Sequence, residues 1–274
     1  MKLLKPLKGI NVICLVLLSL LLIAIVHPIK AFGWGRLNHI IISELAYDLL
    51  EDWEKNKFGA YGDSLIYTYC LYPDLYRRKE FKERLKPYIK IPYIQSDGVF
   101  HKTENTSEGK TGFDNLPDFY IFTYFIEKSI KYLRQDNIIE ASKHIGVLAH
   151  YIEDNSCPVH VVDNPLLEQL LPAPERLKDF KVHGNSEGPE IQNLNISNNN
   201  INKLGENVFE TVNNIIPKFN QMQLNSRAQA IPIIMGIYDD DFNKANKGRA
   251  KAAEPAVKLL ADTIHTIFSL AFNR

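Results

Sequence analysis

Two fragments, His150-Tyr-Ile-Glu-Asp154-Asn-Ser-Cys-Pro-Val-His160 and His183-Gly-Asn-Ser-Glu187, set five metal-capable side chains between positions 150 and 187. On a helix, residues four apart share a face, so His150 and Asp154 can point at one ion, and so can His183 and Glu187. Imidazole nitrogen with carboxylate oxygen is a donor set that suits Zn²⁺, and hydrolytic zinc sites keep one coordination position for water. The spacing therefore suggests a multinuclear zinc site. It also restricts the fold, because separate segments have to bring their donors to one place.

A third fragment, Trp34-Gly-Arg-Leu-Asn-His39, follows what reads as a secretory leader. Residues 1–33 carry Lys2, Lys5 and Lys8, then an apolar run from Ile10 to Val26, then Ala31-Phe32-Gly33, which fits a small-x-small processing site. Cleavage there makes Trp34 the new N-terminus. A freed α-amino group, with a pKa near 8, can lose its proton and chelate a metal together with its own carbonyl oxygen. An uncleaved N-terminal anchor is the alternative, since about 17 apolar residues lie at the lower limit for spanning a bilayer.

The remaining 34–274 read as one globular domain, long enough to bury a core without staples. The whole chain balances 32 basic against 32 acidic residues; the leader removes Lys2, Lys5, Lys8 and Lys30 and no acid, leaving 28 against 32. A net charge near −4 excludes broad basic steering towards nucleic acid, although zinc ions would make the pocket itself positive.

Helical periodicity dominates. Ile41, Leu45, Ala46, Leu49 and Leu50 predict a first helix that starts near His39. Asp114 or Asn115 with Pro117 predicts the start of a second, running through Phe119, Phe122, Phe125, Ile126, Ile130 and Leu133. After a break at Asp136-Asn137, Ile138–Glu153 predicts a helix that delivers His150 and Asp154 at its end, with Pro158 turning the chain so that His160 returns from a separate segment. Asn193 to Asn200 reads as a surface loop. Further helices are expected over Leu204 to Ile216, Arg227 to Ile237 and Ala256 to Phe272.

These fragments together resemble the zinc-dependent phospholipases C and their relatives, the fungal single-strand-specific nucleases. The resemblance implies an all-α, single-domain, multi-helix fold with a three-zinc cleft over 34–274. It implies His150, Asp154, His160, His183 and Glu187 as ligands, with Trp34, through its amino nitrogen and carbonyl oxygen, and His39 holding another ion. Tyr72-Pro-Asp74 is similar to a family segment, which makes Asp74 a ligand and a candidate general base. His101 is the match for the histidine that follows it, with Asp97 and Asp114 as competitors nearby. By the same resemblance, one zinc uses Asp74, His101, His150 and Asp154, a second His160, His183 and Glu187, and a third Trp34, His39 and Asp154.

The implied activity is hydrolysis of a phosphodiester by a zinc-activated hydroxide, in a secreted, extracellular or periplasmic monomer. Glu187 and Tyr72-Pro-Asp74 lean towards a phospholipid head group at a membrane surface. Trp34 and His39, only five apart, lean towards single-stranded nucleic acid and a nuclease or 3′-nucleotidase activity. A secreted zinc-binding protein without catalysis is the reading from another class.

Some residues carry structural readings instead. His144 lies off the helical face of His150, and His265 belongs to an apolar helix. Five tyrosines around Asp74, at 61, 67, 69, 72 and 76, read as packing. Cys70 and Cys157 either pair in an oxidising compartment or stay as buried thiols. Around His183, Gly184, Asn185, Gly188 and Pro189 are poor helix formers, so Glu190 competes with Glu187.

Overall fold

The computed structural model describes residues 34–94, 100–102, 116–196 and 200–274. The leader, its processing site, Asp97, Asp114 and Asn115 lie outside the described residues. The fold is all-α. Its helices are α1 (Arg36–Asp48), α2 (Asp52–Phe58), α3 (Tyr61–Tyr67), α4 (Tyr72–Tyr76), α5 (Lys82–Ile89), α6 (Asp118–Arg134), α7 (Ile138–Ser156), α8 (Asn164–Leu170), α9 (Val182–Glu187), α10 (Val208–Tyr238) and α11 (Phe242–Phe272). A small antiparallel ladder joins β1 (Pro92–Ile94) to β2 (Phe100–Lys102), with Tyr93 opposite His101. No helix among the described residues is long and apolar enough to cross a membrane.

Helix α7 is the centre of the molecule. From Ala141 to Asp154 only Lys143 escapes burial, and α3, α6, α10, α11 and the 3-10 turn Tyr69–Leu71 pack around it. Asn137 caps its start, its side chain accepting from the Glu140 amide, after Asp136 has turned the chain at a φ of 56°. The helix continues beyond Glu153 to Ser156, so Asp154 is held on regular backbone and shares a face with His150.

Helix α1 turns differently from its apolar pattern. Its buried residues are Asn38, His39, Ile42, Ser43 and Ala46, so a polar stripe faces inward beside the apolar one. At the C-terminal end, the two separate helices expected before Ile237 merge into α10, which passes through Pro217 and Pro232. Helix α11 begins at Phe242, capped by Asp241, well before the expected Ala256. The pair packs closely enough that a Cβ on Gly236 would lie 2.6 Å from the Ala245 nitrogen, so contact between the two helices supports both.

Candidate metal centre

Helices α1 and α7 deliver the first group of donors. The rings of His39 and His150 stack at 4.1 Å and 14°, with Nε2 of His39 3.5 Å from Oδ1 of Asp154 and Nε2 of His150 3.2 Å from Oδ2. All three side chains are almost wholly buried, and their ligand atoms lie within 4.8 Å of one another. Yet both Nε2 atoms and both Asp154 oxygens lack a hydrogen-bond partner among the described residues. The atoms crowd one spot without a well-formed hydrogen bond between them.

The opposite nitrogens are all engaged. Nδ1 of His39 lies 2.7 Å from Oε2 of Glu153, whose other oxygen accepts from Ser43 Oγ at 2.6 Å. Nδ1 of His150 lies 2.7 Å from the Cys70 carbonyl, an acceptor only, so Nδ1 carries a proton and Nε2 is the ring nitrogen turned towards Asp154 and open to an ion that displaces its proton. The Cys70 carbonyl reaches that position because Gly146, one turn before His150, lacks a side chain. A Cβ there would sit 2.5 Å from the Tyr69 Cβ and 2.9 Å from the Cys70 nitrogen.

The second group comes from the 3-10 turn Pro158–His160 and from α9. Cys157 leaves helical geometry at ψ 120°, and Pro158 opens the turn that sends His160 back to the cluster. His160 Nε2 lies 2.9 Å from Oε1 of Glu187, and His183 Nε2 lies 3.1 Å from the same oxygen, with the two rings stacked at 5.1 Å. His160 Nδ1 is 3.8 Å from Asp154 Oδ1, which makes Asp154 the residue common to both groups. Cys157 joins His160 and Glu187 in a possible donor set, also within 4.8 Å.

Asp74, at the start of α4, stands beside this cluster, its Oδ1 4.0 Å from His150 Nε2 and 3.8 Å from Arg77 Nη1. Trp34 is buried, its indole donating to Ser156 Oγ at 2.9 Å, and the next residue, Gly35, lies against the Glu187 and Gly188 carbonyls. Glu187 faces inward and Glu190 is exposed, so the carboxylate brought to His160 and His183 is Glu187. His101 belongs to β2, and its side chain lies outside what is described. The two cysteines are separate buried thiols, with Cys70 Sγ donating to the Ile66 carbonyl. His144 bonds the Glu140 carbonyl among Tyr88, Phe125 and Tyr132, and His265 bonds Glu54, both away from the cluster.

The electrostatics ask for positive charge at the centre. Burial opposes charge on Asp154, but His150, His160 and His39 outweigh it and hold the carboxyl well below the usual range. Burial also works against a charged His150, and there Asp154, Asp74 and Glu153 prevail and lift it to about 9. Burial pulls His160 down to about 4, helped by His183, His39 and Arg77 against Asp154, and lowers His183, with Arg77 again adding to it. A buried carboxylate whose neighbours are histidine nitrogens is unfavourable unless one of them is protonated, as His150 is here, or a metal cation takes that place. The bare nitrogens and oxygens thus fit Zn²⁺ by type, burial and direction.

Sequence reasoning did not find Glu153, Ser43, the Cys70 carbonyl, Asn38 or Arg77. Only Glu153, wedged between His150 and His160 in the chain, carried a signal: a carboxylate among the apolar residues of a core helix requires a partner. No curated protein and no solved structure matches the chain. The sequence pattern of the family described as zinc dependent phospholipase C matches residues 38–225, which span α1 to the middle of α10 and every described member of the cluster except Trp34. The chain therefore belongs to the zinc-dependent phospholipase C family, zinc hydrolases of the phosphodiesterase type.

Proposed function

We propose that this protein hydrolyses the phosphodiester bond of a phospholipid head group with zinc held by Trp34, His39, Asp74, His101, His150, Asp154, His160, His183 and Glu187. Three ions fit the donor supply. The observation that carries the reading is Asp154, a carboxylate buried to 2% exposure with two bare oxygens between the histidine groups. Zinc bound there supplies Lewis acidity towards a phosphoryl oxygen and makes water acidic enough to act as a nucleophile near neutral pH.

The chain's own residues do the rest. Glu153 and the Cys70 carbonyl engage Nδ1 of His39 and His150, which leaves Nε2 of each ring as the nitrogen to bind an ion, and Asp154 keeps the two donor groups in register. Asp74, about 25% exposed and beside His150, is placed to accept a proton from the attacking water. Arg77 lies beside Asp74 and within electrostatic reach of His160 and His183, where its charge opposes the charge that develops on a phosphoryl group.

Glu187 and the family description favour phospholipid. The short spacing of Trp34 and His39 favours the second reading, a single-strand-specific nuclease. The leader is read as cleaved before Trp34, which would release an extracellular or periplasmic product; a monomer is expected. The test uses protein starting at Trp34 on phosphatidylcholine vesicles and on single-stranded DNA, each with and without chelator. Chelator-sensitive release of phosphocholine is expected. Activity on DNA alone replaces the first reading with the second, and about one zinc per chain with no hydrolysis of either substrate supports a non-catalytic zinc-binding protein.

A further inference from the structure

Helix α9 has to present both His183 and Glu187 to one point, yet it has only six residues, includes Gly184 and Asn185, and is followed by Gly188 and Pro189. Its geometry is imposed from outside. On one side Asn38 donates through Nδ2 to the Glu187 and Pro189 carbonyls at 3.1 Å each and accepts from the Ile191 amide at 2.8 Å. On the other stands Arg249, from α11, beyond the segment that the family pattern covers.

Arg249 is 2% exposed. Its Nε donates to the Ser186 carbonyl at 3.0 Å, while Nη2 is buried with no hydrogen-bond partner among the described residues. A guanidinium removed from water with one donor unused is unfavourable, and an apolar side chain of similar length would fill the same space without that cost. Burial lowers its pKa to about 10, so it remains a cation at neutral pH. The residue is itself well anchored: at its neighbour Gly248 a Cβ would lie 2.7 Å from Ile233 Cγ1, because α10 and α11 approach closely there.

We infer that Arg249 is a positioning residue for the metal ligand Glu187. It pins the Ser186 carbonyl, one peptide before the ligand, at the end of α9 where carbonyls carry partial negative charge and lack helical partners. Asn38 pins the carbonyl that follows. Between the two clamps the Glu187 carboxylate has one direction, towards His160 and His183. The inference rests on the ligand role proposed above for Glu187.

The test measures zinc affinity by chelator competition, and the visible spectrum of the cobalt-substituted protein, for wild type, R249M, R249K, E187Q and R249M/E187Q. E187Q is expected to weaken one class of ions. R249M should weaken that same class about 10–100-fold and change the cobalt spectrum. R249K should fall between, since an ammonium keeps the charge and a donor but not the planar fork. Adding R249M to E187Q should cost no further affinity. If R249M does not fold, R249K carries the comparison and should still bind more weakly than wild type.

Unchanged affinity and spectrum in R249M, or in R249K where it stands in, overturns the inference, as does a full additional loss on top of E187Q. If E187Q leaves metal binding unchanged, the proposed ligand role fails and the inference falls with it; if E187Q weakens binding and R249M does not, only the inference fails.

Discussion

Glu153 has the best-defined supporting role around the centre, since it accepts from His39 and Ser43 with no exposure to water. Its replacement by glutamine keeps the size but removes the charge that fixes the His39 tautomer. Glu153→Gln is expected to weaken zinc binding by about 10–100-fold, read by chelator competition, while the far-ultraviolet circular dichroism stays that of the wild type. His265 gives a second prediction away from the cluster. Its hydrogen bond to Glu54 raises its pKa above the ordinary 6.5, against the effect of burial, so the folded state binds the proton more tightly than the unfolded chain. The stabilisation is complete below about pH 6.5 and is lost as pH rises from there through the raised folded value. Urea midpoints measured across that window should fall with pH, and His265→Gln should remove that part of the slope.

At the scale of elements, the meeting of α7 with the turn Tyr69–Leu71 sets the position of His150. Gly146→Ala tests it with opposing effects. Alanine favours an isolated helix by about 1 kcal/mol, whereas its Cβ would stand 2.5–2.9 Å from Tyr69 and Cys70, and overpacking of that kind costs about 1–3 kcal/mol. Steric crowding should win: a lower denaturation midpoint is expected, together with weaker zinc binding as the Cys70 carbonyl moves from His150. What the sequence disclosed follows the same division. The i, i+4 pair His150 and Asp154 was legible because α7 has a clear helical period and a cap at Asn137. The pair His183 and Glu187 was less so, because Gly184 and Asn185 resist helix and the order of α9 comes from Asn38 and Arg249, far away in the chain. The inward face of α1 was misjudged for a related reason: His39 and Ser43 are buried by Glu153, a long-range partner that apolar periodicity does not register. Continuity of α10 through Pro217 and Pro232 likewise depends on its partner α11 and not on local preference.

For the whole molecule, the proposed centre is a cross-link between distant parts of the chain. It joins α1, α4, α7, the turn at His160 and α9. The single apolar core reaches these segments but draws most heavily on α6, α7, α10 and α11, so removal of metal should loosen the cluster side more than the rest. An ion that binds only the folded state adds about 4 kcal/mol when its free concentration is roughly 1,000 times its dissociation constant. Dialysis against a strong chelator should therefore lower the melting temperature by several degrees, and added Zn²⁺ should restore it. Hydrogen exchange should rise most in residues 34–39 and 182–190, where the clamps on α9 lose the ion they serve, and least in the middle of α11. Uniform exchange across the molecule on metal removal, or a melting temperature indifferent to chelator, would mean that packing alone holds these segments together and that the bare oxygens of Asp154 have some other partner.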